Sequence, residues 1–325
     1  MTTTIEMLQE LCASNWSEVS HPKNVKVYGV CYGAGKFIAV GQADGIDAYI
    51  ITSSDGRTWT EQNNPKNCVL QDIVYGNGVF VAVGLADGGD AYILTAPPDG
   101  ITWTERSNPK NIHLYSVTYG NGKFVAVGYP DGGDAYIVIS SDGGVTWTER
   151  SNPKNVFLHS VEYGNGVFTA VGYPDGGDAY IVISSDGGVT WTERSNPKNV
   201  PLYAVAYGDG KFIAAGNSDD IDTYMVSSSD NGVTWTEVTN PANVNIHSIV
   251  HSGEIFVAVG YAGSSGSNSY ILTSVDGSVW VEKSSSENVH LYKVCVGINE
   301  NKMFVAVGDS DTYDASLFIS MRMIT

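Results

Sequence analysis

The amino-acid sequence predicts an all-β fold: a seven-bladed β-propeller of four-stranded antiparallel blades, its ring closed by the N-terminal strand pairing with the C-terminal blade. Three observations predict it. The segment Ser107–Trp147 recurs at Ser151–Trp191 with six changes, and fainter copies fill most of the chain. The tryptophans Trp16, Trp59, Trp103, Trp147, Trp191, Trp235 and Trp280 stand 43, 44, 44, 44, 44 and 45 residues apart. Within one repeat the apolar residues alternate with period 2, in short runs separated by Asn-Gly and Asp-Gly turns, which are strand and hairpin signals. Four short strands per repeat of this length is the signature of a propeller blade.

The elements follow in order. Residues 1–13 stand outside the repeat; Thr3 and Glu6 are spaced like a capping box and Ile5, Leu8 and Leu11 share a face, so a short helix is expected there. The propeller is expected over 14–325 as a single domain, with blade units ending at Trp59, Trp103, Trp147, Trp191, Trp235 and Trp280. In the third unit the strands read LYSVTYG, KFVAVGY, AYIVIS and TWTER. The last unit supplies three strands and no Trp strand, and the orphan strand at Trp16 completes it. Six blades with a loose N-terminus is the alternative, and it leaves those strands without partners.

Composition narrows the partners. The chain has 325 residues and a formal net charge of −18, which argues against nucleic-acid phosphates or an anionic membrane surface. Cys12, Cys31, Cys68 and Cys295 show neither metal-type spacing nor recurrence per repeat. No basic segment followed by an apolar run begins the chain, and no long apolar stretch suggests membrane insertion. A cytoplasmic location is the default expectation, with release without a signal left open. A monomer is likewise the default.

The turn before each tryptophan carries a family resemblance. Ser140, Asp142, Gly144 and Trp147 fit the pattern S-x-D-x-G-x-x-W, as do Ser184, Asp186, Gly188 and Trp191, and Ser228, Asp230, Gly232 and Trp235. Asp55 and Asp276 lie in versions one residue shorter, and Asp99 follows a proline with no serine. Over nearly its whole length the chain resembles the Asp-box (BNR-repeat) β-propellers. The resemblance implies a structural role for these aspartates, at the periphery and away from any active site. Aspartate accepting backbone N–H groups of its own turn is a sufficient physical reason for the motif.

That family includes sialidases, which implies an arginine cluster, a tyrosine–glutamate nucleophile and an acid aspartate. The chain departs from that set. Arg106, Arg150 and Arg194 occupy one equivalent position in three blades, so a ring spreads them apart, and Glu18, Glu61, Glu105, Glu149, Glu193, Glu237 and Glu282 all follow a tryptophan by two. Asp72, Glu162, His251 and Lys293 do not repeat, and each reads more simply as tolerated variation than as a catalytic group. No catalytic residues are assigned, and no enzyme is expected.

Two features point to binding. Asp131 and Asp134, with Asp175 and Asp178, belong to an array of paired loop aspartates that continues at Asp44/Asp47, Asp87/Asp90 and Asp219/Asp222, with Asp309, Asp311 and Asp314 in the last blade. Lys23, Lys66, Lys110, Lys154 and Lys198 come from neighbouring connections on the same face. Hairpin capping by Asp, with Lys pairing across to it, is the plain reading; an acidic ring that draws a basic partner or Ca2+ is the functional one. No cofactor is expected, because two carboxylates per loop fall short of a calcium shell. The sharper feature is the second residue of each innermost strand: Tyr28, Gln71, Tyr115, His159, Tyr203, His247 and Tyr292. These ring the channel mouth, and four of the six differences between the two near-identical repeats fall at Ile112–Thr118 or its equivalent. Packing between inner strands accounts for them equally well. The function expected is a non-catalytic scaffold that binds a protein or peptide through its loop face and channel mouth. A multivalent glycan-binding lectin and a sialidase-type hydrolase are the alternatives.

Overall fold

The structure, a computed structural model, describes residues 16–43, 45, 48–63, 66–86, 91–130, 132–174, 176–177, 179–219, 222–241, 243–260, 269–284, 289–298, 302–310 and 315–322. The helix expected within residues 1–13 lies outside them, as do Asp131, Asp175 and Asp178.

The strands run in chain order, four to a sheet after the first. An isolated strand β1 (Trp16–Val19) comes first. Blade one holds β2 (Val27–Gly33), β3 (Lys36–Gly41), β4 (Ile50–Ser53) and β5 (Thr60–Glu61). Blade two holds β6 (Leu70–Gly76), β7 (Val79–Ala86), β8 (Ala91–Ala96) and β9 (Thr104–Arg106). Blade three holds β10 (Leu114–Gly120), β11 (Lys123–Pro130), β12 (Ala135–Ser140) and β13 (Thr148–Arg150). Blade four holds β14 (Leu158–Gly164), β15 (Val167–Pro174), β16 (Ala179–Ser184) and β17 (Thr192–Arg194). Blade five holds β18 (Leu202–Gly208), β19 (Lys211–Ser218), β20 (Thr223–Ser228) and β21 (Thr236–Glu237). Blade six holds β22 (Ile246–His251), β23 (Phe256–Gly260), β24 (Tyr270–Ser274) and β25 (Val281–Ser284). The last sheet holds β26 (Leu291–Ile298), β27 (Lys302–Ser310) and β28 (Ala315–Arg322), with β1 as its outer strand: Trp16 stands opposite Ser320 and Val19 opposite Leu317. The described strands therefore make seven four-stranded antiparallel sheets.

The innermost strands form a cycle. β2 lies beside β6, each following inner strand lies beside the next, and β26 returns to β2. Apolar clusters fill the gaps between sheets, one for each neighbouring pair. Val81, Val83 and Ile93 of blade two meet Phe124, Tyr136 and Trp147 of blade three, and Val305 and Val307 of the last blade meet Phe37, Tyr49 and Trp59 of the first. The core thus lies between blades, which explains why the middle strands are buried on both faces, as every residue of β12 and β16 is, while the outer strands are largely exposed.

The repeated residues have local reasons. Asn121 and Gly122 take φ of 49° and 75°, as a two-residue I′ hairpin turn requires. Asp142 Oδ1 accepts the Thr146 N–H at 2.9 Å, Ser140 Oγ accepts the Gly144 N–H at 2.9 Å, and Trp147 Nε1 donates to the Gly144 carbonyl at 3.0 Å. The same bonds recur at Asp186 and Asp230, and shorter turns close on Asp55, Asp99 and Asp276. These six aspartates hold turns together. The connection Asn108–Lys110 docks beneath β12: the buried Tyr136 hydroxyl donates to Asn108 Oδ1 at 2.7 Å and accepts the Lys110 N–H.

The lysines have a partner that the sequence reading did not name. Lys23, Lys66, Lys110, Lys154 and Lys198 pair with Glu61, Glu105, Glu149, Glu193 and Glu237 of the outer strands. Four of them also lie over the fully buried tyrosine of the third strand, as Lys110 does 5.9 Å from the Tyr136 ring. Of these five, Lys198 has an ion pair with a described loop aspartate, Asp219, at 2.5 Å.

An inner strand has a free edge toward the channel, and neighbouring blades satisfy part of it. Asp72 Oδ2 accepts the Val117 N–H at 3.1 Å, Ser116 Oγ accepts the Val161 N–H at 3.3 Å, and Ser248 Oγ accepts the Val294 N–H at 3.2 Å. Gly29 breaks this series for a steric reason: a Cβ there would sit 2.9 Å from the Asp72 Cα. The absent side chain lets Lys293 of the last blade reach past blade one to Asp72 of blade two, Nζ to Oδ1 at 2.8 Å. This ion pair spans the seam where the ring closes.

Two predictions follow from these bonds. Lys293→Met leaves the Asp72 carboxylate with its donors from Ile73, Ser116 and Val117 but without its cation, and should lower the unfolding free energy by about 1–3 kcal/mol. A urea titration reads this as a lower midpoint at unchanged slope, and adding Asp72→Ser, the residue the repeat carries, should recover most of the loss. An unchanged midpoint in the single variant would show that the clasp contributes nothing. Secondly, the turn hydrogen bonds hold Asp142 and Asp230 down at about 2, and similar turns hold Asp55 and Asp186 there. Because the folded values are depressed, their stabilisation is complete above the unfolded value near 4 and is lost as pH falls through about 2. The melting temperature should therefore drop between pH 4 and pH 2, and Asp142→Ala should flatten that drop.

Candidate binding site at the channel mouth

The second residues of the inner strands converge as their spacing predicts. Tyr28, Gln71, Tyr115, His159, Tyr203, His247 and Tyr292 all line one cavity, about 450 Å³, along the channel. Their rings touch around most of the mouth. Tyr115 and His159 lie 5.9 Å apart between centroids, His159 and Tyr203 4.9 Å, and Tyr28 and Tyr292 5.3 Å. Tyr203 and His247 stack at 4.8 Å with 21° between planes. Gln71 supplies an amide between the aromatics of blades one and three.

Burial sets the chemistry of these rings. It pushes the His159 imidazole down to about 4, and burial together with the neighbouring His159 pushes His247 down to about 3. Both rings are neutral near pH 7. His159 Nδ1 lies 2.9 Å from the Tyr203 carbonyl, which can only accept, so Nδ1 carries the proton. Burial, with Tyr129 beside it, pushes the Tyr115 phenol up to about 12. The mouth therefore offers neutral, flat, amphipathic faces.

Sequence reasoning missed a second tier of rings. Phe157 is stacked between Tyr129, at 4.6 Å and 23°, and Tyr173, at 5.2 Å and 28°. Tyr115 meets Phe157 edge-on at 4.6 Å, and Tyr173 reaches Tyr203 at 5.9 Å. Tyr129 and Tyr173 are exposed, at 43% and 39%, although they end long buried strands. The signal was present: Gly-Tyr-Pro occurs in blades three and four, and Gln42, Leu85, Asn217 and Asp309 take the tyrosine's place in blades one, two, five and seven.

The floor of the cavity corrects another reading. Asp72, Glu162 and Lys293, taken singly as tolerated variations, all line it. Asp72 is buried and bonded to Lys293 at 2.8 Å. Glu162 Oε1 accepts the Tyr163 N–H at 2.9 Å, and burial pushes this carboxyl up to about 7. Cys31 and Cys295 also face the cavity, both with thiols raised by burial. His251 is elsewhere, packed on Phe256 and 3.4 Å from Asp209. Among the described residues no arginine lines the cavity; Arg106 lies on an outer strand, donating to Thr95 Oγ1.

The described loop aspartates serve the backbone. Asp134 accepts the Asn152 N–H at 2.9 Å and Asp222 accepts the Asn240 N–H at 3.3 Å, each holding the next connection. Asp219, Asp222 and Glu237 bring carboxylate oxygens within 4.8 Å of one another, but the Lys198 ammonium pairs with Asp219 and Glu237 there. An ammonium thus stands where the calcium reading would put a metal ion.

No family model matches the chain, and no curated protein matches it. Solved structures do. YCF48 from Cyanidioschyzon merolae superposes with a TM-score of 0.68 at 14% identity, covering 94% of this chain and 98% of that one. A structure described as YCF48 bound to D1 peptide superposes with a TM-score of 0.69 at 14% identity, covering 97% and 98%. At that identity the likeness is one of fold, an all-β propeller; the number of blades in this chain is that of its own seven sheets.

Proposed function

We propose that the chain is a non-catalytic propeller that grips a protein or peptide segment at the aromatic channel mouth. The observation that carries this reading is the concentration of rings on blades three to five. Tyr115, Tyr129, Phe157, His159, Tyr173 and Tyr203 form one contiguous patch around the opening of a 450 Å³ cavity, and two of them are exposed at the end of rigid strands. Rigid aromatic anchors beside a pocket are what interface hot spots are made of. Blades three and four differ at six positions over the matched repeat, and four of these fall at Ile112–Thr118 or its equivalent. The neighbour recorded with a bound peptide supports the reading, since it carries the same fold. The absence of arginine from the cavity lining weighs against sialidase-type chemistry.

The test starts from a peptide selected from a random display library on the wild-type chain. Its affinity is then measured by fluorescence anisotropy against the triple variant Tyr115→Ala, His159→Ala, Tyr203→Ala. Each aromatic contact is worth about 0.5–1.5 kcal/mol, so binding should weaken by at least about tenfold. A melting curve checks that the fold survives. Undiminished binding by the folded triple variant would overturn the reading. Several equivalent glycan sites per chain in a titration would favour the lectin instead.

A further inference from the structure

The cavity floor has an unbalanced charge. Asp72 of β6 and Lys293 of β26 satisfy each other at 2.8 Å. Glu162 of β14 has only a backbone N–H as partner and, among the described residues, belongs to no ion pair. The equivalent positions in the flanking blades are Thr118 and Ala206, so the propeller does not need a carboxyl there. Blades three and four differ at only six positions over the matched repeat, and this is one of them.

The path to Glu162 suits one kind of ligand. A cation approaching the channel passes a ring of aromatic faces, each attractive to positive charge. The chain's net charge of −18 draws cations toward it. An anion meets no free positive group on the floor, because Asp72 holds Lys293 and burial keeps His159 and His247 neutral. A small hard metal ion needs six or more oxygens, which one carboxyl does not supply. An alkyl stem with a terminal ammonium fits both parts: the stem lies along apolar walls such as Val161 and Val205, and the head reaches the carboxyl.

We propose that the channel is a socket for a lysine-type alkylammonium group, which enters between the mouth aromatics and pairs with Glu162. The inference rests on the peptide reading, in that the group belongs to a side chain of the bound segment. It predicts a pH dependence. Burial is the main cause that raises the Glu162 carboxyl to about 7, and the charged groups acting on it across the channel are Lys293 and Asp72. Only the carboxylate pairs with an ammonium, so affinity is full above about pH 8 and falls as pH drops through 7. Between pH 8 and pH 6 the loss is about tenfold, while the ammonium stays charged throughout.

The experiment uses the whole chain with 1-butylammonium as probe and 1-pentanol as its neutral counterpart, followed by carbon NMR of labelled glutamate carboxyls. Glu162 is assigned by its loss in Glu162→Gln. Glu162→Thr, which restores the residue at Thr118, guards against a folding defect. Butylammonium should perturb the Glu162 carboxyl saturably, about tenfold more weakly at pH 6 than at pH 8. Pentanol should not perturb it, and the shift that butylammonium causes in the Tyr115 and Tyr203 ring signals of the wild-type chain should be missing from both variants. Equal binding of the two probes, binding retained in either folded variant, or no perturbation at 100 mM probe would each overturn the socket. A selected peptide that loses affinity to the aromatic triple variant but not to Glu162→Gln would reject the socket and leave the peptide reading standing.

Discussion

The architecture depends on how closely seven inner strands can approach one another around a common channel. An inner strand is an edge strand, and its channel-side N–H groups have no sheet partner. In this chain the third residue of one inner strand lends an oxygen to the backbone of the next, as Ser116 does to Val161 and Ser248 to Val294. The contact also needs small residues at the strand ends: a Cβ on Gly120 would lie 2.0 Å from the Tyr163 ring of the following blade. The Tyr-Gly pair that ends most inner strands is therefore an interblade joint, with tyrosine from one sheet seated on glycine of the one before it.

A ring built this way is strongest where its units are alike and weakest where they differ, and the site lies where they differ. The third-position series runs Gly29, Asp72, Ser116, Ser160, Ala204, Ser248 and Lys293. Serine accepts the neighbouring N–H, and Ser116 also donates to Asp72. Glycine, aspartate and lysine occur together at the seam, and their departures from the repeat compensate one another: the glycine clears the space, and the lysine and aspartate meet across it. That compensation removes two of the three charged floor residues from the pool available to a ligand. It leaves Glu162 as the floor charge without a local counterpart.

Much of this was legible in the sequence, for reasons that differ by residue. The strand pattern, the turns, and the role of Asp142, Asp186 and Asp230 were readable because each is a local matter of spacing and turn chemistry. The mouth residues Tyr28 to Tyr292 were readable because a repeat carries one register to every blade. The Tyr129–Phe157–Tyr173 stack was not, because it joins the end of one strand to the start of another across a blade boundary. The meeting of Asp72, Glu162 and Lys293 was hidden for the same reason: it depends on the circumference of the ring, and residues over two hundred positions apart in the chain become neighbours only once the ring closes. The lysine–glutamate pairs went unread because they join the start of a blade to its outer strand, 38 or 39 residues later, whereas the pairing with a loop aspartate that the sequence suggested is present at Lys198 and Asp219.

The geometry also bears on which direction of charge the mouth can use. Net negative charge by itself is a statement about solubility, and most of the acidic residues here are consumed in turns, in lysine pairs or in holding connections. What remains is directional: aromatic faces at the mouth and one half-buried carboxyl further in, with the Lys293 ammonium already engaged by Asp72. Burial that raises the carboxyl to about 7 does so by disfavouring the charged form. The same burial strengthens any ion pair formed there, since the surroundings screen it poorly. The flanking blades carry Thr118 and Ala206 at the equivalent position, so the inner strand itself does not require a glutamate there.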